Sequence, residues 1–127
     1  MKYSLYAFVF LLFCACKKDN IINTTISGKW RLTEVAFSSG GPMEVRPVDP
    51  DSATTMFFGG NGQFIITPAG VNGYDQYAVN GDTVTISSSR TASIYICKFE
   101  IVKGSLTLNP IMPMCIEGCY SKYINIK

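Results

Sequence analysis

The sequence predicts an all-β domain: an up-and-down antiparallel meander of about eight strands closed into a small barrel, with a β-sandwich as the alternative. Short runs rich in Val, Ile, Thr, Phe and Tyr alternate with clusters of Gly, Pro, Asn and Ser along residues 27–127. No stretch of about a dozen residues in that region keeps amphipathic-helix spacing without a Gly or Pro interrupting it. The runs follow one another at hairpin distance, and closing such a series on itself removes the exposed edges of an open sheet.

The first strand is Gly28–Phe37, where Trp30 and Leu32 share one face and Lys29, Arg31 and Thr33 the other. Ser38–Ser52 reads as a long loop because it holds Gly40-Gly41-Pro42 and Pro47-Val48-Asp49-Pro50-Asp51. Ala53–Phe58 and Gln63–Thr67 are strands on either side of the turn Gly59-Gly60-Asn61-Gly62, and Pro68–Gly73 is a second loop. Tyr74–Val79 and Thr83–Ser87 flank Asn80-Gly81-Asp82, where Asn-Gly supplies the positive φ that a tight hairpin requires. Ser93–Val102 turns at Lys103-Gly104 into Ser105–Asn109; Pro110–Gly118 is a loop, and Tyr120–Ile126 is the last strand. The expected core is Phe57, Phe64, Ile66, Tyr77, Val84, Ile86, Tyr95, Phe99, Leu106, Leu108 and Ile124. An eight-stranded barrel is just wide enough to be filled by side chains or to hold one small ligand, and a filled interior is expected of so short a domain.

The 127 residues carry 11 Lys and Arg against 9 Asp and Glu, so there is no basic field of the kind that grips nucleic acid. Histidine is absent. That removes Ser–His–Asp and Cys–His catalysis, histidine metal sites and the usual general base near neutral pH. There is no phosphate-cradling Gly loop either, so no enzyme mechanism can be assembled and no cofactor or metal is expected. Asp49 and Asp51 sit in the Pro-rich loop, but two carboxylates fall short of the about six to eight oxygens that calcium takes. Asp75, Asp82, Glu100 and Glu117 are scattered.

Residues 1–20 read MKYSLYAFVFLLFCACKKDN. Lys2 precedes an apolar run, Leu5–Phe13, which matches the h-region of an export signal and is short of the about 20 residues that span a bilayer. The run ends at Phe13-Cys14-Ala15-Cys16, and charge begins at Lys17. This layout resembles a bacterial lipoprotein signal peptide. The resemblance implies a signal peptide at 1–15, a diacylglycerol on the sulfur of Cys16, cleavage before it, and acylation of the new N-terminus. Residues 16–26 are then the lipidated cysteine and a flexible tether. At about 3.3–3.6 Å per extended residue the tether holds the domain, 27–127, roughly 30 Å from the surface. The implied location is the cell envelope, lipid-anchored, with the outer membrane expected.

Ser27-Gly28-Lys29-Trp30 places a Gly-x-Trp at the start of the first strand. With the meander, this resembles the lipocalin signature, and the whole region resembles the short lipocalin-like domains of Gram-negative lipoproteins. The supporting stretches are Gly28–Leu32, Phe58–Phe64 and Cys115-Ile116-Glu117-Gly118-Cys119-Tyr120-Ser121-Lys122-Tyr123. The resemblance implies that Gly28 lets the chain approach closely, that Trp30 plugs one end of the barrel, and that a basic side chain, Lys122 or Lys127, lies over the ring by cation–π attraction. It also implies a module that binds a small hydrophobic ligand. The alternative is a packed structural or interaction module, contacting another envelope component through the loops 38–52 and 110–118 with Met43, Ile111, Met112 and Met114.

Cys97, Cys115 and Cys119 follow the signal, and an oxidising envelope lets disulfides persist. Cys115–Cys119 is the nearest pair in sequence; Cys97 bridged to either, or three free thiols, are the alternatives. Cys97 shares a face with Phe99 and Ile101, as a buried apolar thiol would. Asp51-Ser52-Ala53 and Asp82-Thr83-Val84 resemble a short O-glycosylation pattern of Gram-negative envelope proteins, which makes Ser52 and Thr83 candidate glycan sites.

Overall fold

Nine strands run through the described residues, with no helix among them: β1 (Gly28–Phe37), β2 (Glu44–Pro47), β3 (Thr55–Phe58), β4 (Phe64–Thr67), β5 (Gln76–Asn80), β6 (Thr83–Ser87), β7 (Ile94–Val102), β8 (Ser105–Met112) and β9 (Cys119–Ile126). The computed structural model describes residues 25–126 apart from Val71, Ile116 and Glu117. One antiparallel sheet orders the strands β4-β3-β1-β9-β8-β7-β6-β5. Its two ends meet where Gln63 bridges Gln76, the Phe64 amide donates to the Asp75 carbonyl at 3.0 Å and the Tyr77 amide to the Gly62 carbonyl at 2.9 Å. The meander thus forms a nearly closed barrel, and the two facing layers of a sandwich are not formed.

Two elements differ from the sequence expectation. The long loop 38–52 contains β2, which pairs with the far half of β1 from Glu34↔Pro47 to Phe37↔Glu44. β3 reaches only the near half, Gly28 to Arg31, so β2 covers an edge that β1 would otherwise leave bare. The second difference is β8, which continues through Pro110 to Met112. Proline lacks an amide donor and is tolerated at sheet edges and bulges. β8 pairs with β9 only as far as Leu108, and a register shift separates Ile96 from Cys97 opposite Pro110. Pro110 sits where both conditions hold.

The core gathers Trp30, Met56, Phe58, Phe64, Val84, Ile86, Cys97, Leu106, Leu108 and Tyr123. Phe57 and Ile124, expected inside, point outward instead. Met56-Phe57-Phe58 is apolar at three successive positions, so the sequence leaves the inward face open; register decides it by setting Met56 opposite Trp30 and Phe58 opposite Phe64. On β9, Tyr123 faces Leu32 and Leu106, and Ile124 falls opposite Arg31 and Ser105.

Candidate ligand-binding cavity

The barrel has unlike ends. At one end the chain enters through Ile26, and the Trp30 indole N–H donates to the Ile26 carbonyl at 2.8 Å. Both side chains are buried, at 3% and 2% exposure. Gly28 adopts a φ of 133°, a backbone conformation that favours glycine, and a Cβ there would stand 3.2 Å from the side-chain Nδ2 of Asn125. Phe58 stacks edge-on against Tyr77 at 5.0 Å and lies 5.1 Å from Phe64. The Tyr77 hydroxyl donates to the Gly59 carbonyl. These contacts close the first end.

Toward the other end the interior is not filled. A cavity of about 320 Å³ lies between Met56 on β3, Phe64 and Ile66 on β4, Ile86 on β6, Tyr95 on β7 and Tyr123 on β9. Asn72, Tyr74 and Pro113 complete its wall from the loops at the mouth. The expectation of a side-chain-filled barrel does not hold toward this end. A hollow of about 440 Å³ lies at the closed end between Thr25–Ser27 and β5, with Gly62, Gly81 and Phe99. It is larger, but five of its nine lining residues are Gly, Ala, Ser or Thr, whereas the smaller cavity is framed mainly by large apolar and tyrosine side chains, which suits it better to hold a ligand.

Loops at the mouth are tied to one another. The amide and hydroxyl of Ser89 both donate to the Asp75 carboxylate, which they hold below the usual carboxylate range. The Thr91 hydroxyl donates to the Asn72 carbonyl at 3.3 Å. The Ser88 hydroxyl accepts from the amides of Arg90 and Thr91, which shapes the turn after β6. Asn72 and Tyr74 are thereby presented to the cavity by a braced loop.

The cavity wall carries no charged side chain among the described residues. Burial pushes the Tyr123 phenol up to about 12, and burial, with a hydrogen bond to Cys97, also raises that of Tyr95. Both hydroxyls stay protonated at physiological pH and can donate or accept one hydrogen bond. Tyr74 and Tyr95 face each other at 6.5 Å. The arrangement is an apolar slot with neutral hydrogen-bonding groups, the chemistry of a site for an uncharged, mostly apolar molecule.

The other sequence-derived residues fall as follows. Cys115 and Cys119 form a disulfide pair with Cα atoms 5.9 Å apart, and Cys97 is free and fully buried. Burial raises the Cys97 thiol to about 11. Lys122 does not lie over Trp30: it alternates with Tyr123 and so belongs to the outer face, opposite Thr107 and Glu34. Among the described residues a cation–π pair forms elsewhere, with Arg46 over the Phe37 ring at 4.9 Å. Ser52 is exposed in its loop, whereas Thr83 is half-buried at the start of β6 and bonded to Asp82. No group of acidic or cysteine side chains among the described residues could hold a metal. Cys16, the signal, most of the tether and Lys127 lie outside the described residues.

Sequence reasoning found Phe64, Ile66, Ile86 and Tyr95 but missed Met56, Asn72, Tyr74, Pro113 and Tyr123. Met56 was missed because Met56-Phe57-Phe58 is apolar at three successive positions, so alternation alone selects no face. Asn72 and Pro113 reach the cavity through loop folding, which leaves no local signal. No family model, curated protein or solved structure matches this chain.

Proposed function

We propose that the protein is an envelope lipoprotein, held by acyl chains on Cys16, whose lipocalin-like barrel takes a small uncharged hydrophobic ligand through the end opposite Trp30. The observation that carries this reading is the cavity of about 320 Å³ framed by Met56, Phe64, Ile66, Ile86 and three tyrosines. Its size lies at the lower end of the about 300–1,000 Å³ of small-molecule sites, so the ligand is compact. Binding without catalysis agrees with a chain that lacks histidine. The Leu5–Phe13 run and Cys16 support a lipid anchor in the cell envelope, with the outer membrane expected. Native mass spectrometry of protein purified from its own envelope tests the reading. A co-purified small molecule released on unfolding is expected; a protein mass with no adduct, and no uptake from an envelope lipid extract, counts against it.

A second reading has its own observation. Met43, Ile111, Met112 and Met114 are 41–71% exposed on the mouth-side loops and strand ends. In that reading the loops seat another envelope component and the cavity is secondary. Cross-linking in intact envelopes through a photoreactive residue at position 114 separates the two, since a captured protein is expected only from the second.

A further inference from the structure

The barrel is polarised along its axis, and the polarity matches the end at which the chain enters. Thr25, Ile26 and Ser27 lead into β1 at the closed end, nine residues after the start of the proposed processed chain at Cys16. Beside this entry, register aligns a row across four strands of the outer face: Ile65, Phe57, Lys29 and Ile126. Phe57 and Ile65 are 36% and 44% exposed and border a shallow hollow of about 240 Å³ that also contains Lys29. The hairpin tip between β7 and β8, at the same end, exposes Val102 at 51% next to Lys103.

Charge follows the same axis. Lys29, Lys98 and Lys103 belong to the closed-end half, against Asp82 and Glu100, and none of these lysines is in an ion pair among the described residues. The mouth half carries Glu44 and Asp75 against Arg46 and Arg90, with Arg46 already paired to Glu44, while Asp49 and Asp51 sit on the connection from Pro47 to Thr55, level with the middle of β1. The mouth exposes apolar groups too, Met43 and Met114 among them. Its charges balance, so it offers no net attraction to an anionic surface, and the entering chain lies at the other end.

We infer that the closed end is a lipid-docking face: Phe57, Ile65 and Val102 enter the interfacial layer, Lys29 and Lys103 meet anionic headgroups, and the mouth points away from the membrane. Exposed apolar residues mixed with lysines are the composition of interfacial binding, and each lysine near an anionic surface adds attraction that salt screens. This orientation rests on the proposed anchor at Cys16 for its permanence and on the domain's own surface for its direction.

The test uses the full processed protein in vesicles of phosphatidylcholine and phosphatidylglycerol, with an environment-sensitive thiol label at Val102→Cys or Val45→Cys; Cys97 is buried and does not compete. Lipids brominated near the headgroup should quench most of the fluorescence at position 102 and almost none at position 45. Lys29→Glu with Lys103→Glu should remove most of that quenching at low salt. Quenching at 45 rather than 102, or at neither, overturns the orientation. Intact mass of the same preparation reports acylation of Cys16 separately. An unacylated chain refutes the anchor, and the two labels still decide which face docks.

Discussion

The indole of Trp30 and the carbonyl of Ile26, four residues apart, hold each other at 2.8 Å across the closed end of the barrel. This bond turns the residue before the first strand into part of the plug. Both groups are shut off from water, so breaking their contact strands a buried acceptor.

Trp30→Ala should lower stability by about 3–5 kcal/mol, through lost burial and the cavity left behind. Trp30→Phe keeps most of the apolar volume but leaves the Ile26 carbonyl unpaired, a loss of about 1–3 kcal/mol. Urea unfolding of the two variants measures this. Near-wild-type midpoints for both would mean that the indole does not close the barrel.

Much of this end was legible in the sequence. Gly28 and Trp30, the Asn80-Gly81 hairpin and the alternation of Leu106 with Leu108 each follow from local chemistry. The inward face was not legible at Met56-Phe57-Phe58, where all three positions are apolar and only pairing with β1 and β4 selects a face. β2 was hidden because its reason is tertiary: it pairs with the half of β1 that β3 leaves uncovered. The cavity was hidden for a similar reason, since Asn72 and Pro113 reach it from opposite sides of the sequence.

The Cys115–Cys119 link spans four residues and ties the start of β9 to the loop before it. Replacing both cysteines with serine should reduce stability by about 2 kcal/mol in the loop-entropy account. Dithiothreitol should produce the same shift in the wild type and none in the double variant. A reductant effect in the variant would assign the shift to some other group.

Cys97 makes stability depend on alkaline pH. Its thiol is raised from 9.0 to about 11 in the folded state by burial. A raised acid stays protonated when folded while the unfolded chain has already released its proton. Its contribution is therefore full below pH 9 and declines as pH climbs from about 9 to about 11. Cys97→Ala should flatten this part of the stability–pH curve, at the expense of some packing. Denaturant midpoints across that interval, wild type against variant, give the comparison; parallel curves would reject the assignment.

Local opening should begin at the junction of β4 and β5. A bridge at Gln63 and Gln76 and two flanking backbone bonds make this junction, and four of the five β5 residues are exposed. β1 and β9, by contrast, pair along almost their whole length. Amide exchange should be faster for Gln76–Asn80 than for the paired amides of β1 and β9. Uniform protection around the barrel would show a closure stronger than these few bonds supply.

The central claim is a barrel stoppered at Trp30 and hollow at the opposite end. Its most direct test is titration with N-phenyl-1-naphthylamine, a neutral apolar fluorophore, of the wild type and of Ile66→Trp, which fills the cavity from β4. The account predicts saturable one-to-one binding by the wild type and at least about tenfold weaker binding by the variant, or about 1.4 kcal/mol, with folding intact by circular dichroism. Identical isotherms, or no saturable binding by the wild type, would contradict it.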